Sequence, residues 1–326
     1  MTRANPINRI LVLPLFLLAL SRPLERVCAA DLIPVVDQEK SRLLIIDPVE
    51  DRIRREIGLT KGPVGITADV SSGQLFVTHP ETGQLSIITL ANVEPVQTIS
   101  VGGAPFGILH LPGGELVYGD WASAQLIRYD PIARKELARV TVGASPAAIV
   151  ADRQGRFLYV ASQETDTAAV VETKDFSLIA TIKVGKGPFA LALAPDDKTL
   201  YAANVRSGTV SVIDTATRRV RAEVKTGGMP YGLAVTRDGR ELLVVNQHMG
   251  ALTVVDTQTL AIKTTIKVGR YPEGIALARA AGHAEEKAYV MNWMSGDVSV
   301  IDLHEETSVA RIKTGGGPRT AVLLSK

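Results

Sequence analysis

Seven prolines stand 41 to 46 residues apart. Four short runs of alternating apolar and polar residues fill each interval, and one extra run is left over at the C-terminal end. Together these predict an all-β fold: a seven-bladed β-propeller with four-stranded blades, its last blade closed by the C-terminal strand joining three N-terminal strands.

The prolines are Pro63, Pro105, Pro146, Pro188, Pro230, Pro272 and Pro318. Six follow a glycine three residues earlier, at Gly102, Gly143, Gly185, Gly227, Gly269 and Gly315; the first copy has Thr60 there, with Gly58 nearby. Gly-x-x-Pro is a tight turn, because Gly accepts positive φ and Pro fixes its own φ. Within residues 188–225, runs at Phe189 to Ala194, Leu200 to Ala203, Thr209 to Ile213 and Arg219 to Lys225 read as strands, separated by Pro-Asp-Asp-Lys, Arg-Ser-Gly and Asp-Thr-Ala-Thr turns. Six such units run from Pro63 to about Lys313. After Pro318 one strand remains, and before Gly58 there are three. Pairing the two ends completes a seventh blade and removes two exposed edges.

The first thirty residues read as a secretory signal peptide. Arg3 and Arg9 precede an apolar run from Ile10 to Leu20, and small residues follow up to Ala30. The run is too short to span a membrane as a helix. The expected mature chain is one propeller domain over residues 31–326, periplasmic or secreted. Removing residues 1–30 takes away four Arg and one Glu, a net +3, so the formal +2 becomes −1. No basic field then argues for nucleic acid or an anionic membrane. The single cysteine, Cys28, lies in the leader, and the Glu-Arg-Val before it does not suit lipid attachment. The mature chain therefore has no disulfide, thiolate nucleophile or Cys-ligated metal.

The phrases Leu200-Tyr201-Ala202-Ala203-Asn204 with Val210-Ser211-Val212-Ile213-Asp214, and Ala288-Tyr289-Val290-Met291-Asn292 with Val298-Ser299-Val300-Ile301-Asp302, resemble the YVTN-repeat family of β-propellers. The resemblance covers the whole mature chain. It implies the propeller fold and leaves function open among periplasmic proteins of unassigned role, surface-layer proteins, propeller subunits of amine dehydrogenases and lactonase-like enzymes.

Most repeated residues have structural explanations. Asp47, Asp130, Asp214, Asp256 and Asp302 each close a third strand, where a carboxylate caps the following turn. His283 falls in the extra residues of the sixth unit, on a loop. A site is expected where the repeats disagree, on the face shared by the loops leading into the first strands and those joining second to third strands. The residue after each proline varies: Val64, Phe106, Ala147, Phe189, Tyr231, Glu273 and Arg319. So does the residue ending each second strand, which includes His79, with Trp121, Gln247, His248 and Trp293 beside these positions. The binding face is therefore expected at Phe106, Trp121, Phe189, Tyr231, Tyr271, Trp293 and Arg319. Aromatic anchors beside polar groups suit recognition, while Phe106, Phe189 and Tyr231 equally suit plugging the channel. Glu273 and Arg319 form a structural ion pair or an acid–base and anion-clamping pair.

Three functions compete. The first is a non-catalytic binding module for a periplasmic protein partner. The second is an accessory to an amine or alcohol dehydrogenase, with any cofactor held by the partner, since no Cys-x-x-Cys-His motif exists here. The third is a lactonase-like or lyase-like enzyme acting on a small anionic substrate, with His79, His248, Glu273 and Arg319 as catalytic candidates. No nucleotide or metalloprotease motif is present, no metal or cofactor is expected, and His79 and His248 lie on well-separated blades.

Overall fold

The computed structural model describes residues 1–2, 31–91, 96–279 and 286–325. The leader with Cys28 and the loop bearing His283 lie outside the described residues. Seven four-stranded antiparallel sheets form the seven blades. Blade one begins at Ile66–Asp69, and the first strands of blades two to six are Pro105–His110, Pro146–Ala151, Pro188–Leu193, Pro230–Val235 and Pro272–Arg279. Blade seven joins Pro318–Ala321 to Ile33–Asp37, Arg42–Asp47 and Arg52–Gly58.

The closing contact is short. Val35, Val36 and Asp37 pair with Ala321, Thr320 and Pro318, and an isolated bridge joins Leu32 to Leu324. Side chains reinforce it: Asp37 accepts from Gly317 N at 2.9 Å, and Arg42 donates to the Thr314 carbonyl at 2.5 Å.

The second and third strands of each blade are buried on both faces because every sheet is sandwiched between two neighbours, while the first strands line the channel. The core is accordingly a ring of inter-blade layers. One layer packs Tyr201, Val210 and Val212 of blade four against Leu242, Val244 and Val255 of blade five. Outer strands instead alternate, as in Arg219–Lys225, with charged residues facing water and blunting the exposed edge. The Asp residues closing the third strands cap their turns, as Asp214 does by accepting from Thr217 N at 2.7 Å and Asp302 from His304 N at 2.9 Å.

The first strands pack tightly round the axis. A Cβ added at Gly107 would meet the Ala147 carbonyl oxygen at 1.8 Å, so that position admits only glycine without backbone movement. In blades two to six the register slips just after the proline, for example between Pro188 and Ala190. This bulge turns the residue after the proline towards the central channel.

Candidate binding face

The loop leading into each first strand and the loop joining second to third strands lie side by side on one face, called the upper face below. In six blades a backbone bond stitches them together, as from Gln247 N to Met229 O at 2.9 Å and from Trp293 N to Tyr271 O at 3.0 Å.

The residues ending the second strands do not present a binding surface. Asp37, His79, Ser162, Asn204, Asn246 and Asn292 are fully buried, and Asp120 is nearly so. Asp37, His79, Asp120, Ser162 and Asn292 bond the loop crossings from beneath, whereas Asn204 and Asn246 donate to Thr209, Ser211 and Thr253 of the third strands. Asn292 Oδ1 accepts from Gly269 N at 3.0 Å, while its amide donates to Asp297 and Ser299 at 2.8 and 2.9 Å. His79 lies 3.2 Å from the Lys61 carbonyl and 2.8 Å from Ser86 Oγ, and burial pushes its pKa down. Fully buried and with both ring nitrogens in contact with protein partners, His79 is a hydrogen-bonding residue beneath the loops rather than an accessible base.

The aromatic residues expected to share one surface divide into two groups. The inner group lines the upper end of the channel. Phe106 stacks on Trp121 with centroids 3.9 Å apart, meets Phe189 edge-on at 5.9 Å, and Phe189 leans on Tyr231 at 4.2 Å. Phe106 is nearly buried, and the Trp121 indole donates to the Pro146 carbonyl at 2.8 Å. Phe106, Phe189 and Tyr231 share the lining of a cavity of about 290 Å³ with the first strands of all seven blades.

Glu273 and Arg319 meet on the wall of this cavity. Arg319 Nε lies 3.2 Å from Glu273 Oε2, Nη1 donates to Gln38 at 2.7 Å, and the guanidinium carbon stands 5.7 Å from the centre of the Phe106 ring. Gln247 donates to Glu273 Oε1 at 3.0 Å. Oε2 is in ion-pair range of Arg319 but not aligned for a hydrogen bond, and it has no other donor. Burial outweighs the Arg319 charge and the Gln247 bond, so the Glu273 carboxyl titrates above its ordinary value. The network links Gln247 of blade five, Glu273 of blade six, and Arg319 and Gln38 of blade seven across the closure. Of the four catalytic candidates only these two converge. His248 is exposed on the outer part of the face, beside Tyr271 with ring centroids 5.9 Å apart.

The outer group is exposed. Tyr271, Trp293, Met249 and Met294 are 36%, 37%, 42% and 47% accessible. Met249, Tyr271 and Met294 line a groove of about 580 Å³ between the upper loops of blades five and six, and Trp293, next to Met294 in the chain, lies against Gly317 of blade seven. The methionines carried no signal in the repeat pattern; the clue available in the sequence was Gln-His-Met-Gly and Trp-Met-Ser-Gly at equivalent loop positions. Among the described residues no three His, Asp or Glu side chains gather around one point as ion ligands, and no helix is long and apolar enough to cross a membrane.

These features define a seven-bladed propeller with an aromatic-lined channel and exposed apolar residues on one sector of its loop face. A family model, YNCE-like beta-propeller, matches residues 121–283, half of the chain, and the chain belongs to that family. It is similar to a chain of Kuenenia stuttgartiensis hydrazine synthase at 20% identity and TM-score 0.70, over 80% of this chain and 89% of that one. It is also similar to a functionally unknown protein from Desulfotomaculum acetoxidans at 14% identity and TM-score 0.75, over 90% of this chain and 99% of that one. At these identities both show the fold alone. No curated protein matches the chain.

Proposed function

We propose that this protein is an exported, non-catalytic binding module that docks a protein partner on the upper face of blades five and six. The single observation that carries the reading is the groove that gathers Met249, Tyr271 and Met294, each more than a third exposed, with Trp293 equally exposed on the adjoining turn. Most other large exposed apolar residues are scattered, such as Val49 and Ile132 in turns and Leu178 and Val309 on outer strands. Scattered residues need no explanation, whereas a clustered patch with aromatic and methionine side chains marks an interaction site.

Export rests on the leader pattern in the first thirty residues. Accessory service to a periplasmic redox enzyme is the narrower form of the proposal, supported by the occurrence of a similar propeller chain in a hydrazine synthase. Catalysis by this chain is disfavoured because His79 is buried, His248 lines the outer groove rather than the channel cavity, and Arg319 is already engaged by Glu273 and Gln38.

Affinity capture from periplasmic extract tests the reading. Wild type and a control variant, Ile132→Ser, are expected to retain the same protein, and Met249→Ser/Met294→Ser to lose it. Equal retention by all three baits, or turnover of a lactone by the purified chain that Glu273→Gln abolishes, would overturn it.

A further inference from the structure

The groove between blades five and six differs from the rest of the upper face in charge as well as in polarity. The upper loops of blades four, five and six contain no Asp or Glu, and they carry Lys186, Arg206 and Arg270. The upper loops of the other four blades contain Glu39, Glu81, Glu164 and Asp166 against Lys40 and Lys61. One side of the face is therefore cationic, with Arg206 at its edge paired to Glu164 of blade three, and the other is mixed and partly self-neutralised, as in the Lys61–Glu81 pair at 3.0 Å.

The outer strands extend the same asymmetry. Those of blades three to six end at the upper rim in Lys183, Lys225, Lys267 and Lys313, so this basic rim reaches one blade further than the loop asymmetry, whereas those of blades seven, one and two end in Gly58, Ser100 and Thr141. The lining of the groove holds Lys267, Arg270 and Arg311 and no carboxylate. Asp297 partly balances Arg311 from below at 3.5 Å, but its side chain is fully buried. Arg270 lies along the Met294 loop, its guanidinium 3.4 Å from the Met294 carbonyl, so charge and apolar surface are interleaved.

Resting on the docking reading above, we infer that the occupant of this groove is an acidic protein segment carrying a bulky apolar side chain. Met249 and Met294 are unbranched and polarisable, so they fit irregular apolar side chains. The cationic rim matches carboxylates on either side of such an anchor, steering association and fixing its register. Three features favour protein over nucleic acid: the apolar groove floor, the partnering of Arg311 and Lys313 by Asp297, and the engagement of Arg206 by Glu164.

Site-specific photocrosslinking tests this in the full-length chain, exported in its own host. A photoreactive amino acid replaces Met249, a second probe replaces Ile132 on an outer turn, and the crosslinked peptide is sequenced by mass spectrometry. The expected adduct at position 249 is a segment rich in Asp and Glu with at least one large apolar residue. Lys267→Glu/Arg270→Glu is expected to lower its yield by about tenfold or more, because like charges are then brought together. A neutral or basic protein segment, or a yield unchanged by the charge reversal, overturns the acidic-segment inference and leaves the docking reading standing. An adduct with nucleic acid, lipid or a second copy of this chain also overturns it. Absence of any adduct at 249 while the probe at 132 captures a protein overturns the docking reading as well.

Discussion

Removing the Asn292 side chain tests how the binding face is held. Asn292 is fully buried and bonds Gly269 N, Asp297 Oδ1 and Ser299 Oγ at 2.8 to 3.0 Å. It thereby fixes the crossing that carries Arg270 and Tyr271 beside the turn that carries Trp293 and Met294. Asn292→Ala leaves the Gly269 N–H without this acceptor and removes one partner each from Asp297 and Ser299. A buried polar group left unsatisfied costs about 1–3 kcal/mol, so the substitution should destabilise the fold by about 2–4 kcal/mol. Ser162 occupies the same position in blade three but makes one bond, to the Val142 carbonyl at 3.1 Å. Ser162→Ala should cost only about 1 kcal/mol. Urea denaturation of the two variants beside wild type supplies the comparison, with denaturant slopes unchanged. Equal losses would refute the argument that hydrogen bonding beneath the loops, rather than packing, sets the role of this position. A loss for Asn292→Ala below that of Ser162→Ala would refute it more strongly.

Further predictions concern the channel and the closure. Glu273 has a raised folded-state pKa, so its protonated form is the one the fold favours. Its contribution is fully present below its ordinary value of about 4.5 and is lost as pH rises through the higher folded-state value; wild type should therefore lose stability relative to Glu273→Gln across that window, which paired melts at several pH values will measure. His79 has a lowered pKa, and wild type should lose stability relative to His79→Gln as pH falls below 6.5, read by the same melts. Phe106→Ala should destabilise by about 3 kcal/mol and alter the emission of Trp121, on which Phe106 stacks. Ending the chain at Gly317 removes the strand that pairs with Ile33–Asp37, and the product should unfold or associate through the open edge, visible by size-exclusion chromatography.

The proline spacing made the fold legible because each blade repeats one set of turn requirements, and all but the first proline open a first strand. The split seventh blade was legible from a count of leftover strands. The channel residues could be located because Glu273, Arg319, Phe106 and Tyr231 occupy one repeat position. The second-strand ends could not be read correctly. Asp, His, Ser and Asn at a loop boundary look like an exposed polar ring, and nothing in the repeat reveals that their side chains turn under the loops. Trp121 and Trp293 also share a repeat position, yet one stacks on Phe106 and the other is exposed. The difference comes from the neighbouring blade: Pro146 offers Trp121 a carbonyl, and Gly317 leaves Trp293 lying over a bare backbone.

Hydrogen exchange of the captured complex, compared with the free chain, tests the docking surface most directly. Protection on complex formation should fall on residues 247–250, 268–271 and 293–296, while the turns on the opposite face exchange unchanged. Protection confined to the channel mouth around Phe106 and Tyr231, or to the opposite face, would contradict the account.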